Sequence, residues 1–80
     1  MHTIMHTIDY AVDGEAQTTT SHELTPRQIL TNAGVDPATH YLVQLEGHHR
    51  ISYQDKMDEP IKMHEKMRFI SVSLEPTPVS

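Results

Sequence analysis

The chain has 80 residues, no cysteine and a net charge of −5 with its histidines neutral. This length predicts one domain, and the lack of cysteine excludes disulfide bonds and thiolate metal sites. The acidic balance with scattered basic residues disfavours nucleic-acid binding. No stretch approaches the roughly 20 apolar residues of a membrane span or the pattern of a signal peptide, so we expect a cytoplasmic protein.

The first predicted element is a β-hairpin. Apolar residues alternate along the end of MHTIMHTIDYAV, with Ile8, Tyr10 and Val12 on one side. The pair Asp13-Gly14 is typical of a two-residue turn, and the threonine-rich EAQTTTSHE fits a second strand near a sheet edge. Residues 1–3, in the first copy of a tandem MHTI repeat, are expected to be disordered.

The stretch LTPRQILTNAGVDP, residues 24–37, predicts a short capped helix. Thr25 and Gln28 form a capping-box pattern, Pro26 suits the first helical position, and Gly34 provides the stop. So short a helix is unstable alone and must pack on something else. Its apolar stripe consists of Ile29, Leu30 and Ala33.

The second half of the chain predicts three more strands, in YLVQLEG, around residues 50–53 and in MRFISVS. We expect the first and last strands to be parallel neighbours at the centre of the sheet. The fold class is therefore α+β, a mixed four- to five-stranded sheet with one helix packed across it. The domain spans residues 1–74, and residues 75–80 form a flexible tail. The helix is expected to pack on Ile8, Tyr10, Val43, Leu45 and Phe69.

The order and spacing of these stretches resemble the ubiquitin-like, or β-grasp, fold, and more specifically bacterial multiubiquitin-type domains. The resemblance implies a modifier or interaction module that works with ThiF-like activating, conjugating-enzyme-like and JAB-type protease proteins. It covers about residues 8–73. The matching stretches are Asp13-Gly14, TPRQILTNAGVDP, YLVQL, DEPI and RFISV.

Two alternatives within this resemblance depend on the end of the chain. A covalent modifier needs an unhindered terminal glycine, and a sulfur carrier needs a terminal glycine thiocarboxylate. The sequence ends in EPTPVS and its three glycines are internal. A modifier would therefore require C-terminal processing, and a sulfur carrier is disfavoured. Whether the chain is conjugated, processed or part of a tandem array stays open.

An apolar partner face is expected on the side of the sheet away from the helix. If Tyr41, Val43 and Leu45 point towards the helix, the neighbouring positions of the strand point away, and exposed aliphatic patches mark partner sites. A one-residue slip would invert this assignment. The predicted protein-binding residues are Leu42, Ile70 and Val72, with Gln44, His49 and Arg68 on a polar rim.

Metal binding and catalysis are not expected. A closed zinc site needs about four ligands, yet the adjacent His48 and His49 would point to opposite faces of a strand. His2 and His6 would share a face only if the N-terminal segment were ordered. No catalytic triad pattern or glycine-rich phosphate loop occurs, so we predict neither enzymatic activity nor a cofactor.

Overall fold

The computed structural model describes residues 6–74. The predictions for residues 1–3 and for the tail at 75–80 lie outside these residues. In chain order, the elements are β1 (Ile8–Val12), β2 (Glu15–Thr19), β3 (Glu23–Leu24), α1 (Pro26–Asn32), β4 (His40–Glu46), β5 (His49–Ser52), β6 (Ile61–Lys62) and β7 (Met67–Ser73).

Five of these strands form a mixed sheet in the order β2-β1-β7-β4-β5, and β3 pairs with β6 in a small second sheet. β1 and β7 run parallel, while the other pairs in the large sheet are antiparallel. The prediction that the first and last strands are central parallel neighbours is confirmed. One helix lies on one face of the sheet, so the predicted α+β class is confirmed, and the arrangement is compatible with a β-grasp.

The hairpin turn forms because its two residues accept positive φ. Asp13 has φ 54° and Gly14 has φ 82°, the combination that a type I′ turn requires and that Asp-Gly favours. The turn is also tied to β7. The Asp13 carboxylate accepts hydrogen bonds from the Ser71 N–H at 2.8 Å and from the Ser71 hydroxyl at 2.6 Å.

Hydrogen-bonded caps define both ends of the helix. Thr25 accepts a hydrogen bond from the Gln28 N–H at 3.1 Å, and the Gln28 side chain accepts one from the Thr25 N–H at 2.9 Å. The C-terminal end is a Schellman motif, in which Val35 N–H donates to the Leu30 carbonyl at 2.9 Å. Gly34, at φ 81°, provides the left-handed residue this motif requires. Both predicted helix signals are therefore confirmed.

The core lies between α1 and the sheet, and β4 contributes to it differently from the prediction. Leu42 is fully buried in the core, whereas Val43 and Leu45 point to the opposite face, so their predicted contact with the helix is wrong. The β4–β7 register pairs Gln44 with Phe69, and paired residues share a face. The buried core residues are Ile8, Tyr10, Val12, Leu24, Ile29, Leu30, Leu42, Ile61, Met63 and Phe69.

One core side chain carries a polar group. The Tyr10 ring packs edge-on against Phe69, with ring centroids 6.1 Å apart. Its hydroxyl is buried, and no group among residues 6–74 reaches it in hydrogen-bonding geometry. Burial raises the pKa of Tyr10, and nearby Asn32 offsets part of that shift. The neutral hydroxyl is therefore the form that the fold accommodates.

Candidate protein interface on the open face of the sheet

The face of the sheet opposite the helix carries a group of apolar side chains from its two adjacent central strands. Because paired residues share a face, the β4–β7 register sets three pairs together: Tyr41 with Val72, Val43 with Ile70, and Leu45 with Arg68. We call this side the open face. Its apolar patch, the open-face patch, consists of Tyr41, Val43, Leu45, Ile70 and Val72.

Residues of the open-face patch have neighbours on adjacent strands of the same sheet. Val43 is 6% exposed although the helix lies on the other side of the sheet, because Ile70 and Ser52 flank it across the strands. The other four patch residues are half-buried. Leu74 follows Val72 by two positions, is 41% exposed, and donates its N–H to the Thr39 carbonyl at 2.7 Å. The apolar surface therefore extends towards the end of β7.

Positive charge lies at the other end of the patch. Leu45 is paired with Arg68 on one side and with Arg50 on the other. Among the residues of β4, β5 and β7, these two arginines are the charged side chains whose alternation places them on the open face. A chain of net charge −5 thus presents a locally cationic border to this apolar surface.

A shallow depression continues the open face beyond Arg68. Ala11 is paired with Arg68 on one side and with Ala16 on the other, and these two short side chains leave an open volume of about 300 Å³. Lys66 and the acidic residue Asp9 also border this depression, and the Lys66 N–H donates to the Asp9 carbonyl at 2.7 Å. Arg68 therefore lies between the open-face patch and the small residues Ala11 and Ala16.

Three of the six residues predicted to bind a partner lie on the open face: Arg68, Ile70 and Val72. The prediction that Leu42 is exposed there is wrong, because Leu42 is 0% exposed beneath the helix. His49 is exposed, but it is paired with Glu46 and so belongs to the helix side of the sheet.

Gln44 is the other residue whose predicted place on the rim is wrong. It is 7% exposed, and its side-chain carbonyl accepts a hydrogen bond from the Tyr53 hydroxyl at 2.9 Å. Burial raises the pKa of Tyr53, and the charge of Glu46 raises it further. The pair therefore keeps a neutral hydroxyl as donor to a buried acceptor, which is a structural role on the covered face.

Sequence reasoning missed Tyr41, Val43, Leu45 and Arg50 as open-face residues. Tyr41, Val43 and Leu45 are the more apolar set of β4, so alternation alone favoured burying them against the helix. The decisive signal is the register with β7, where Phe69 is buried and Ile70 is not. That pairing cannot be read from the hydrophobic pattern of one strand.

Three further observations concern the described residues outside the open face. Within residues 6–74, no three His, Asp or Glu side chains converge to hold a metal ion. An open cleft of about 620 Å³ between the β2–β3 connection and β6 has His22 and His64 on its walls. Over the same residues, no helix is long and apolar enough to cross a membrane.

Comparison with known proteins identifies no family for this chain. No protein-family model, curated protein or solved structure matches this chain.

Proposed function

We propose that this protein is a bacterial ubiquitin-like module of the β-grasp type that acts through protein–protein contact on its open face. The observation that carries this proposal is the open-face patch, an apolar surface bordered by Arg50 and Arg68 that the helix does not cover. Contiguous apolar surface with a polar rim is typical of partner sites.

The chemistry of the patch defines the partner that fits it. Aliphatic and aromatic side chains of a partner would bury the open-face patch, at about 25 cal/mol per Å² before the costs of association. The two arginines flank Leu45 and offer planar, bidentate donors to carboxylates. The matching surface is therefore apolar at its centre and acidic at one side.

The sequence resemblance supplies the classes of partner to test. The multiubiquitin-type likeness points to ThiF-like activating, conjugating-enzyme-like and JAB-type protease proteins. We propose that one of these, encoded in the same genome, binds the open face in the cytoplasm. The chain acts in this proposal as a recognition module and not as an enzyme.

Isothermal titration of the purified chain against each of the three candidate proteins tests the proposal. Ile70→Asp places a charge in the open-face patch and is expected to weaken binding more than about tenfold. The matched control is Thr31→Asp, which adds the same charge to an exposed helix residue on the other face. Circular dichroism melting should show both variants folded at the temperature of the titration.

Two outcomes of this titration would contradict the proposal. Wild-type affinity in Ile70→Asp would mean that the partner binds elsewhere on the protein. Absence of binding to all three wild-type candidates would mean that the pathway inferred from the resemblance is wrong.

A further inference from the structure

The outermost strand beside the open-face patch is an exposed edge. β5 ends the sheet order, and all four of its residues are exposed. Its aliphatic side chain, Ile51, is 37% exposed. We call this strand and its outward backbone the β5 edge. An exposed edge is a template for an additional strand.

The direction of the free backbone groups follows from one hydrogen bond. Tyr53 N–H donates to the Leu42 carbonyl at 2.9 Å, so these two residues form a hydrogen-bonded pair. Hydrogen-bonded and non-hydrogen-bonded pairs alternate along an antiparallel ladder. With Gln44 paired to Ile51, the N–H and C=O groups of Arg50 and Ser52 therefore point away from β4.

The side chains at the β5 edge favour one kind of added strand. Arg50 lies on the open face and Ile51 on the helix side. A strand added beside them places its own alternate side chains next to these two residues. A carboxylate next to Arg50 and an apolar side chain next to Ile51 would both be favourable, so the complementary segment alternates acidic and apolar residues.

The opposite edge of the sheet, β2, has no counterpart of Arg50 or of Ile51. By the same alternation, starting from the two-residue turn between Val12 and Glu15, the outward backbone groups of β2 belong to Ala16 and Thr18. The strand sequence EAQTT offers neither a cation nor a large aliphatic side chain to an added strand. The two edges therefore make a matched comparison.

We propose that the β5 edge accepts an extended acidic–apolar segment of another protein as an added sheet strand. This goes beyond the open-face contact, because the backbone of Arg50 and Ser52 provides the binding groups. A second copy of the chain is the poorer occupant, because its β5 presents Arg50 and Ser52 on the open face and therefore offers no carboxylate to Arg50.

The probe is a short blocked peptide in which valine and glutamate alternate, titrated to millimolar concentration and followed by the amide NMR spectrum. We expect shifts and slowed hydrogen exchange at Arg50 and Ser52. The same peptide with lysine in place of glutamate should bind at least about tenfold more weakly. Absence of binding, equal binding of both peptides, or shifts at Ala16 and Thr18 instead would overturn the proposal.

Three variants sharpen the test. Ser52→Pro removes an outward N–H that β4 does not use and should abolish binding, whereas Thr18→Pro does the same at the β2 edge and should leave binding unchanged. Arg50→Glu needs no backbone change and should reverse the preference, so that the lysine peptide binds better. Retained preference for glutamate in Arg50→Glu would contradict the assigned partner chemistry.

Self-association and the open-face contact are separated by the same measurements. Concentration-dependent strand pairing without peptide, seen as a rise in sedimentation coefficient lost in Ser52→Pro, would identify a second copy as the occupant and overturn the proposal. Ile70→Asp should still bind the acidic peptide. The outcome at the edge is thus independent of the outcome at the open face.

Discussion

The two faces of β4 belong to the same strand but are shielded in different ways. On the helix side, Leu42 is fully buried by a second layer of structure, and Gln44 is satisfied by Tyr53. On the open side, Tyr41 and Leu45 stay half-buried, covered by neighbours within the sheet. Side-by-side packing thus reduces exposure without making a core, and it leaves an apolar surface that a partner can still cover.

The largest expected effect comes from truncating the same residue type on the two faces. Leu42→Ala should lower the free energy of unfolding by about 2–5 kcal/mol, because it leaves a cavity beneath the helix. Leu45→Ala, three positions along the strand, should cost about 1 kcal/mol, because Leu45 is only half-buried. Urea unfolding of the two variants measures the difference.

Equal losses in the two leucine variants would mean that both faces of β4 are core. That result would remove the distinction between a covered and an open face. An unchanged m value in both variants is the control, since it shows that the unfolded states are comparable.

A smaller effect is expected from the polar pair on the covered face. Tyr53→Phe removes the hydroxyl that donates to Gln44 and leaves a buried acceptor unpaired, which should cost about 1–3 kcal/mol. Adding Gln44→Leu should recover part of that loss, because neither partner then remains unsatisfied. A double-mutant cycle by thermal melting checks this, and strict additivity would show that the two groups are not coupled.

The smallest effect is expected at the exposed ion pair that joins the helix to the segment after β5. Arg27 Nε lies 3.0 Å from the Asp58 carboxylate, and their hydrogen bond and opposite charges hold the pKa of Asp58 below its usual value. The stabilisation is therefore present above the unfolded-state pKa of about 4 and lost as pH falls through the lower folded-state pKa.

Asp58→Asn should accordingly lower the melting temperature slightly at neutral pH and not at all in acid. Both side chains are largely exposed, so the shift should be smaller than that of Tyr53→Phe. Melting curves across this pH range provide the measurement. A pH-independent difference would point to a role of Asp58 other than its charge.

Features whose signal is local could be predicted from the sequence. The Asp13-Gly14 turn and the helix caps depend on backbone conformations that particular residues favour, and both are present. The core residues of β1, Ile8, Tyr10 and Val12, could be predicted from the alternation of apolar residues, because only one face of this strand is strongly apolar. In β4 the more apolar set, Tyr41, Val43 and Leu45, does not face the helix, because the orientation of the strand depends on which residue of β7 lies opposite, a long-range contact. The position of β5 at the edge of the sheet likewise depends on the strand order, which the hydrophobic pattern of the sequence does not determine.

The position of β7 has a consequence for how the protein is made. This last strand, Met67–Ser73, lies between β1 and β4, and the Asp13 turn is fastened to its Ser71. During synthesis, the β1–β2 hairpin and the β4–β5 hairpin therefore cannot join in one sheet until β7 has left the ribosome. A nascent chain halted before Met67 would carry the two hairpins without the strand that joins them, and chaperones and proteases could reach their unpaired edges.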